Sequence, residues 1–192
     1  MNSTSATLLQ RVRDRDNSAW HRLVEMYAPL IRRWLARSLP QSADVDDLVQ
    51  QVFAVIVEKF PAFEHCGRPG AFRTWLRTIS ANRLRMFWRS RPASGPDPDP
   101  FLRQLEDPHS ELSRQWDREH DEHVLRQAME LIEPEFKPAT WQAFRRLALD
   151  EAEPENVAAE LGLTVNAVFI AKSRVMRRLR EEIEGLVQAD SL

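Results

Sequence analysis

The chain has a single cysteine, Cys66, so it can form neither an internal disulfide nor a zinc site built on several thiolates. Its five glycines are too few for a turn-rich β fold. No apolar run approaches the roughly 20 residues that span a membrane. The opening residues, MNSTSATLLQRVRDRD, lack the apolar core of a signal peptide. A cytoplasmic protein without membrane insertion is expected. The histidines His21, His65, His109, His120 and His123 show no metal-ligand spacing, and there is no phosphate-binding glycine loop. Enzymatic readings therefore find little support, and no cofactor or metal is expected.

Acidic residues are missing from one long stretch. Between Glu64 and Asp97 there is no carboxylate, yet seven arginines fall there: Arg68, Arg73, Arg77, Arg83, Arg85, Arg89 and Arg91. Phe72, Trp75, Phe87 and Trp88 are interleaved with them. The formal net charge of the chain is −2, so this positive charge is balanced elsewhere. Cations suit phosphates and exposed rings suit unstacked bases, which together fit a nucleic acid whose strands are being opened. No carboxylate lies within reach along the same helix, so repulsion among the arginines is unrelieved unless an anion binds. For any single ring, such as Phe72 or Trp75, core packing is the simpler reading.

What is present is helical periodicity. Leu23, Met26, Tyr27, Leu30, Ile31, Trp34 and Leu35 predict a helix over about 18–38, with Asn17 as N-cap, Pro29 as a bend or restart, and a short helix over about 5–15 before it. Val45, Leu48, Val49, Val52, Phe53, Ile56, Val57 and Phe60 predict a second over 44–60. Ser42 and Asp44 would cap it, Asp46 and Asp47 would complement its dipole, and Pro61 would end it. A third is predicted over 71–89. Residues 91–117 hold five prolines and several carboxylates and read as an acidic linker, with local helix around 101–106 or 110–117. The remaining residues predict helices over about 118–132, 138–150, 154–161 and 165–186. The fold class expected is all-α: a domain over 1–90, a linker over 91–117, and a second domain over 118–192.

The last two helices are joined by Leu161-Gly162-Leu163-Thr164. Gly162 suits the left-handed residue that ends a helix, and Thr164 suits the N-cap of the next. Helix, glycine turn, capping threonine and basic helix make a helix-turn-helix. Val168, Ala171, Val175 and Leu179 form its buried stripe. In such a motif the N-terminal residues of the second helix lie nearest the bases. Asn166, Phe169, Ile170 and Ser173 are then candidate base readers, and Lys172, Arg174, Arg177 and Arg178 candidate phosphate or guanine contacts. The plainer alternative is a solvated basic helix. The helix over 44–60 presents Asp46, Asp47, Gln50, Gln51, Ala54 and Glu58 on its polar face, which is either solvated or a dock for another protein.

Three segments resemble one family in the right order. Asp44–Phe53, DVDDLVQQVF, looks like the signature of region 2 in bacterial RNA polymerase sigma factors. Ala71–Arg91, AFRTWLRTISANRLRMFWRSR, is similar to the part that melts and reads the −10 promoter element. Glu155–Arg180, ENVAAELGLTVNAVFIAKSRVMRRLR, resembles region 4, the helix-turn-helix for the −35 element. Order, size and the acidic linker point to the extracytoplasmic-function (ECF) group, which keeps only regions 2 and 4. The resemblance implies binding to core polymerase (β and β′ subunits) and promoter DNA, with no bond chemistry of its own. Asp46, Asp47, Gln50, Gln51 and Glu58 would dock on polymerase. The loop 64–70 would shape a pocket for a flipped base. Arg68, Phe72, Trp75, Asn82, Arg83, Arg85 and Arg89 would serve the −10 element. Thr164, Asn166, Phe169, Ile170, Lys172, Ser173, Arg174, Arg177 and Arg178 would serve the −35 element. The linker would thread the polymerase cleft. An anti-sigma factor is implied by family habit alone.

One departure stands out. Many members carry a Lys-Ser-Arg-like triplet directly after the Ala-Val of the recognition helix. Here Phe169-Ile170-Ala171 intervenes, and Lys172-Ser173-Arg174 comes three residues later. That is nearly one turn, so the face is kept while the depth in the groove changes. Two competitors remain. A stand-alone helix-turn-helix regulator would explain 155–180 but not the acid-free stretch. A metal-dependent helical enzyme would use Asp44, Asp46 and Asp47, which are more simply explained as caps.

Overall fold

A computed structural model describes residues 7–39, 41–63, 70–90, 99–184 and 186–187. Every regular element among them is helical, as the sequence predicted. The chain divides into two compact units: Met1–Val124 together with Gly185–Leu192, and Leu125–Glu184.

The first unit contains α1 (Leu8–Arg13), α2 (Asn17–Ala36), α3 (Ser42–Lys59), α4 (Ala71–Arg89), α5 (Asp99–Glu106) and the first half of α6 (Glu111–Ile132). The N-cap of α2 is Asp16, one residue before the expected Asn17. Its carboxylate accepts from the backbone N–H of Ser18 and Ala19. Hydrogen bonds from the Ser18 and Arg11 side chains help hold that carboxyl far below the ordinary carboxylate range. Pro29 sits inside α2 without ending it. The N-cap of α3 is Gln41, which makes no side-chain capping bond, and Asp44 supplies the negative charge in the first turn. A 3-10 turn, Phe60–Ala62, closes α3 around Pro61.

Leu23, Tyr27, Leu30 and Ile31 of α2, Leu48, Val52 and Ile56 of α3, and Phe72, Leu76 and Leu84 of α4 make the core of this unit. The expected linker is structured over much of its length. Pro100 falls in the first turn of α5, where its missing N–H is no loss. Leu102 and Leu105 of α5 and Trp116 of α6 are buried. Residues 91–98 of the expected linker lie outside the described residues.

The first half of α6 faces both α2 and α4. Towards α2, Trp116 packs edge-on to Trp34 with ring centroids 4.9 Å apart, Glu119 accepts from Arg37, and the His123 Nε2–H donates to the Met26 carbonyl at 2.6 Å. Towards α4 it presents Ser113, Asp117 and Asp121, each four residues from the next.

The second unit holds α7 (Pro138–Ala148), α8 (Pro154–Leu161) and α9 (Val165–Ile183). Proline occupies the first position of α7 and α8, where its fixed φ favours the helix. Gly162 ends α8 in the left-handed region at φ 63°, and Thr164 Oγ1 accepts from the Ala167 N–H to cap α9. Both agree with the turn chemistry read from the sequence. Ala143, Val157, Ala158, Val168 and Ala171 form a small-residue core where the three helices meet. Arg146 donates to Glu160 at 3.1 and 3.2 Å, joining α7 to α8.

Candidate nucleic-acid interfaces

The arginines of α4 are already partly neutralised. Arg73 and Arg77 are 6% and 4% exposed. Arg73 Nη1 donates to Asp121 at 2.5 Å, and its Nε lies 3.1 Å from Asp117. Arg77 Nη1 donates to Asp117 at 3.2 Å and reaches the Ser113 carbonyl at 3.4 Å. Arg85 forms an ion pair with Glu106 of α5 and donates to Asn82 Oδ1 at 2.9 Å. The expectation that repulsion along this helix waits for an anion is overturned. Carboxylates from α5 and α6 relieve it. Sequence reading missed these partners, although a signal was present. Arg73 and Arg77 stand four residues apart, as do Asp117 and Asp121, so each pair lines one helical face and the two faces match.

Gly70 belongs to this arrangement. It precedes α4 at φ 73°, and a Cβ there would meet Arg73 Nη2 at 3.0 Å. Both the backbone conformation and the arginine's position call for glycine.

Beside the ladder sits a buried polar chain. The Tyr27 hydroxyl donates to His120 Nε2 at 3.1 Å, and His120 Nδ1–H donates to Asp121 at 2.9 Å. Burial holds the His120 imidazole below its ordinary value, against the pull of Asp121. Burial also raises Tyr27, so its hydroxyl keeps its proton. Burial alone would raise Asp121, but hydrogen bonds from His120 and Arg73 outweigh it and hold the carboxyl low. A histidine neutral in the fold takes its proton more readily when unfolded, so the unfolded state binds more protons below about pH 6.5. Unfolding free energy should therefore fall as pH drops from about 7 through that range, by at most about 1.4 kcal/mol per pH unit from this group. Urea unfolding of the wild type and of His120→Gln at several pH values checks this. The variant should show the shallower dependence over that window.

The remaining −10 candidates separate by burial. Phe72 is fully buried among Tyr27, Phe60, Phe63 and Trp75, with ring centroids 5.2 to 6.3 Å away. A stacking platform needs an accessible face, so this ring is core and not a base contact. Trp75 shares the cluster, 4.7 Å from Phe63, but stays partly exposed. Asn82 and Arg89 are exposed and Arg83 is half-buried. Arg68 and the loop over 64–69 lie outside the described residues.

On α3, Asp47, Gln50, Gln51, Ala54 and Glu58 share one exposed face, with Val57 exposed beside them. Asp46 differs: it is half-buried and paired with Arg32 of α2. That pairing also leaves it poorly placed for the acidic metal cluster considered above. No group of three metal-ligating side chains occurs among the described residues.

On α9, Asn166, Phe169, Ile170, Ser173, Arg174 and Arg177 are all exposed and lie at three- and four-residue spacing on one face. Lys172 is half-buried at its edge, and Thr164 is exposed while serving as the cap. Arg178 is engaged elsewhere. It donates to both oxygens of Glu135 at 2.7 and 2.8 Å and to Glu182 at 2.9 Å, and the Glu135 hydrogen bonds raise its guanidinium above the ordinary value. This geometry directs it into the unit and away from a phosphate.

A glycine turn between two helices, the second with an exposed cationic face, is the geometry found in helix-turn-helix DNA-binding proteins. Residues 23–93 match the family model for sigma-70 region 2. The chain is also similar to the RNA polymerase sigma factor HrpL of Pseudomonas syringae pv. syringae, 25% identical over 158 residues, covering 81% of this chain and 82% of that protein. The chain thus resembles sigma-70 region 2 over residues 23–93 and a bacterial RNA polymerase sigma factor over most of its length. Sigma factors are generally non-enzymatic. No helix among the described residues is long and apolar enough to cross a membrane.

Proposed function

We propose that α9 reads the −35 element and that α4 engages and helps open the −10 element. The observation that carries this is the face of α9 from Asn166 to Arg177. It is exposed, free of carboxylates, and set behind a glycine turn and a threonine cap. On α4, Asn82, Arg83 and Arg89 together with the partly exposed Trp75 are the groups left to meet DNA. Rings and cations that favour the unpaired strand shift the melting equilibrium without bond chemistry. The exposed stripe of α3, Asp47, Gln50, Gln51 and Glu58, is the proposed dock for core polymerase. An anti-sigma antagonist is part of the same reading on family habit alone.

In vitro transcription with core polymerase on genomic fragments tests this. Discrete start sites preceded by a two-part motif are expected. Binding of duplex operator without polymerase, and no core-dependent initiation, would instead identify a stand-alone regulator. For the holoenzyme, replacing Arg174 and Arg177 with alanine should weaken closed-complex formation. The slope of log affinity against log salt should fall by about 0.9 for each phosphate that is no longer neutralised. An unchanged slope would refute the phosphate role of these residues.

A further inference from the structure

Phe169 and Ile170 are 50% and 43% exposed, adjacent, and on the same face of α9. Their neighbours Val168 and Ala171 are buried, which fixes that face outward. Both fall in the second turn, about 6–8 Å from the start of the helix. In a docked helix-turn-helix, that end of the recognition helix lies against base edges. No acidic residue occurs from Gly162 to Arg180, so nothing on α9 before Glu181 opposes approach to a polyanion. Arg174 and Arg177, further along the same face, would secure the backbone.

We infer that Phe169 and Ile170 read thymine C5-methyl groups in the major groove and so make the element contacted by α9 selective for thymine at one or two positions. This rests on the reading of α9 as the promoter-recognition helix. The chemistry narrows the ligand. Neither side chain can donate or accept a hydrogen bond. The thymine methyl is the apolar group that major-groove base edges offer. Pressed against these side chains, a cytosine amino group would lose its water without gaining a partner, so the contact both favours thymine and disfavours its pyrimidine competitor. The sequence departure described above has a consequence here. Directly after Ala167-Val168 this chain places two hydrocarbon side chains, and its Lys172-Ser173-Arg174 set comes one turn later.

The test replaces each thymine of the −35 element, one at a time, with uracil, which removes only the methyl and leaves the protein untouched. Closed-complex affinity of the holoenzyme is then measured for the wild type, Phe169→Ala and Ile170→Ala. Wild type should lose about fourfold at one or two positions, the scale set by burial of one methyl. Each alanine variant should bind more weakly and lose the methyl sensitivity at its own position. Both side chains are exposed, so thermal unfolding should be unchanged, which separates recognition from folding. Should wild type be indifferent to the methyl at every position while sequence-specific binding persists, the inference falls and the −35 reading stands. Should the variants bind core polymerase more weakly while the holoenzyme they do form keeps its methyl sensitivity, the face covers a protein and the inference is overturned. Absence of any sequence-specific duplex binding at this element would overturn the −35 reading and the inference with it.

Discussion

Arg73→Ala should destabilise the first unit by about 3–5 kcal/mol, the cost of breaking a buried ion pair from one side. Arg73 lies between Asp117 and Asp121 with almost no exposure. Its removal leaves the Asp121 carboxylate, only 15% exposed, beside a histidine that burial keeps neutral. Asp117 keeps Arg77 as a partner and is less affected. Denaturant unfolding followed by tryptophan fluorescence measures the loss. A second check is the pair Arg73→Met with Asp121→Leu, which removes both charges. It should recover most of the stability, because replacing a buried pair by apolar groups of similar size is often near neutral. A loss below about 1 kcal/mol for Arg73→Ala would mean that the ladder is screened as a surface pair is. The arginine would then be available to DNA, as the sequence alone suggested.

Phe72→Ala should cost about 3–5 kcal/mol, as large-to-small changes at buried aromatic sites do. Four rings from α2, the turn after α3 and α4 pack around it, and alanine leaves a cavity that they cannot fill without moving. Trp75→Ala removes a neighbouring ring that is already partly in solvent, so its stability cost should be smaller. If Trp75 serves the unpaired strand, its loss should slow open-complex formation more than closed-complex binding. Thermal unfolding and permanganate footprinting of the two variants, side by side, separate these effects. Equal stability losses for both would place Trp75 in the core with Phe72.

The helices were legible where the signals were local. The apolar spacing and the flanking glycine and proline set α4 at residues 71–89, and Gly162 and Thr164 set the turn between α8 and α9. The N-cap of α2 was misjudged by one residue because Asp16 and Asn17 are both good caps and only the geometry decides between them. The partners of Arg73 and Arg77 were not legible for a different reason. They lie 40 to 48 residues away, past a proline-rich stretch whose composition suggested an unstructured strap. Composition averages over a segment, whereas Leu102, Leu105 and Trp116 are single buried residues on helices. The exposed row on α9 followed from periodicity, but the fate of Arg178 did not. A charged residue at the edge of a face can turn either way, and Glu135 lies 43 residues from it.

The match to sigma-70 region 2 stops at residue 93, whereas the groups that complete that unit come from residues 99–124. A fragment trimmed to the family boundary would lack Asp117, Asp121, Glu106 and Trp116. The guanidinium groups of Arg73, Arg77 and Arg85 would lose these counterions, and the indole of Trp34 would lose its neighbour. Anyone dissecting this chain into separately expressed pieces should therefore cut beyond Val124, because the shorter piece would carry its own unfinished seam into solution.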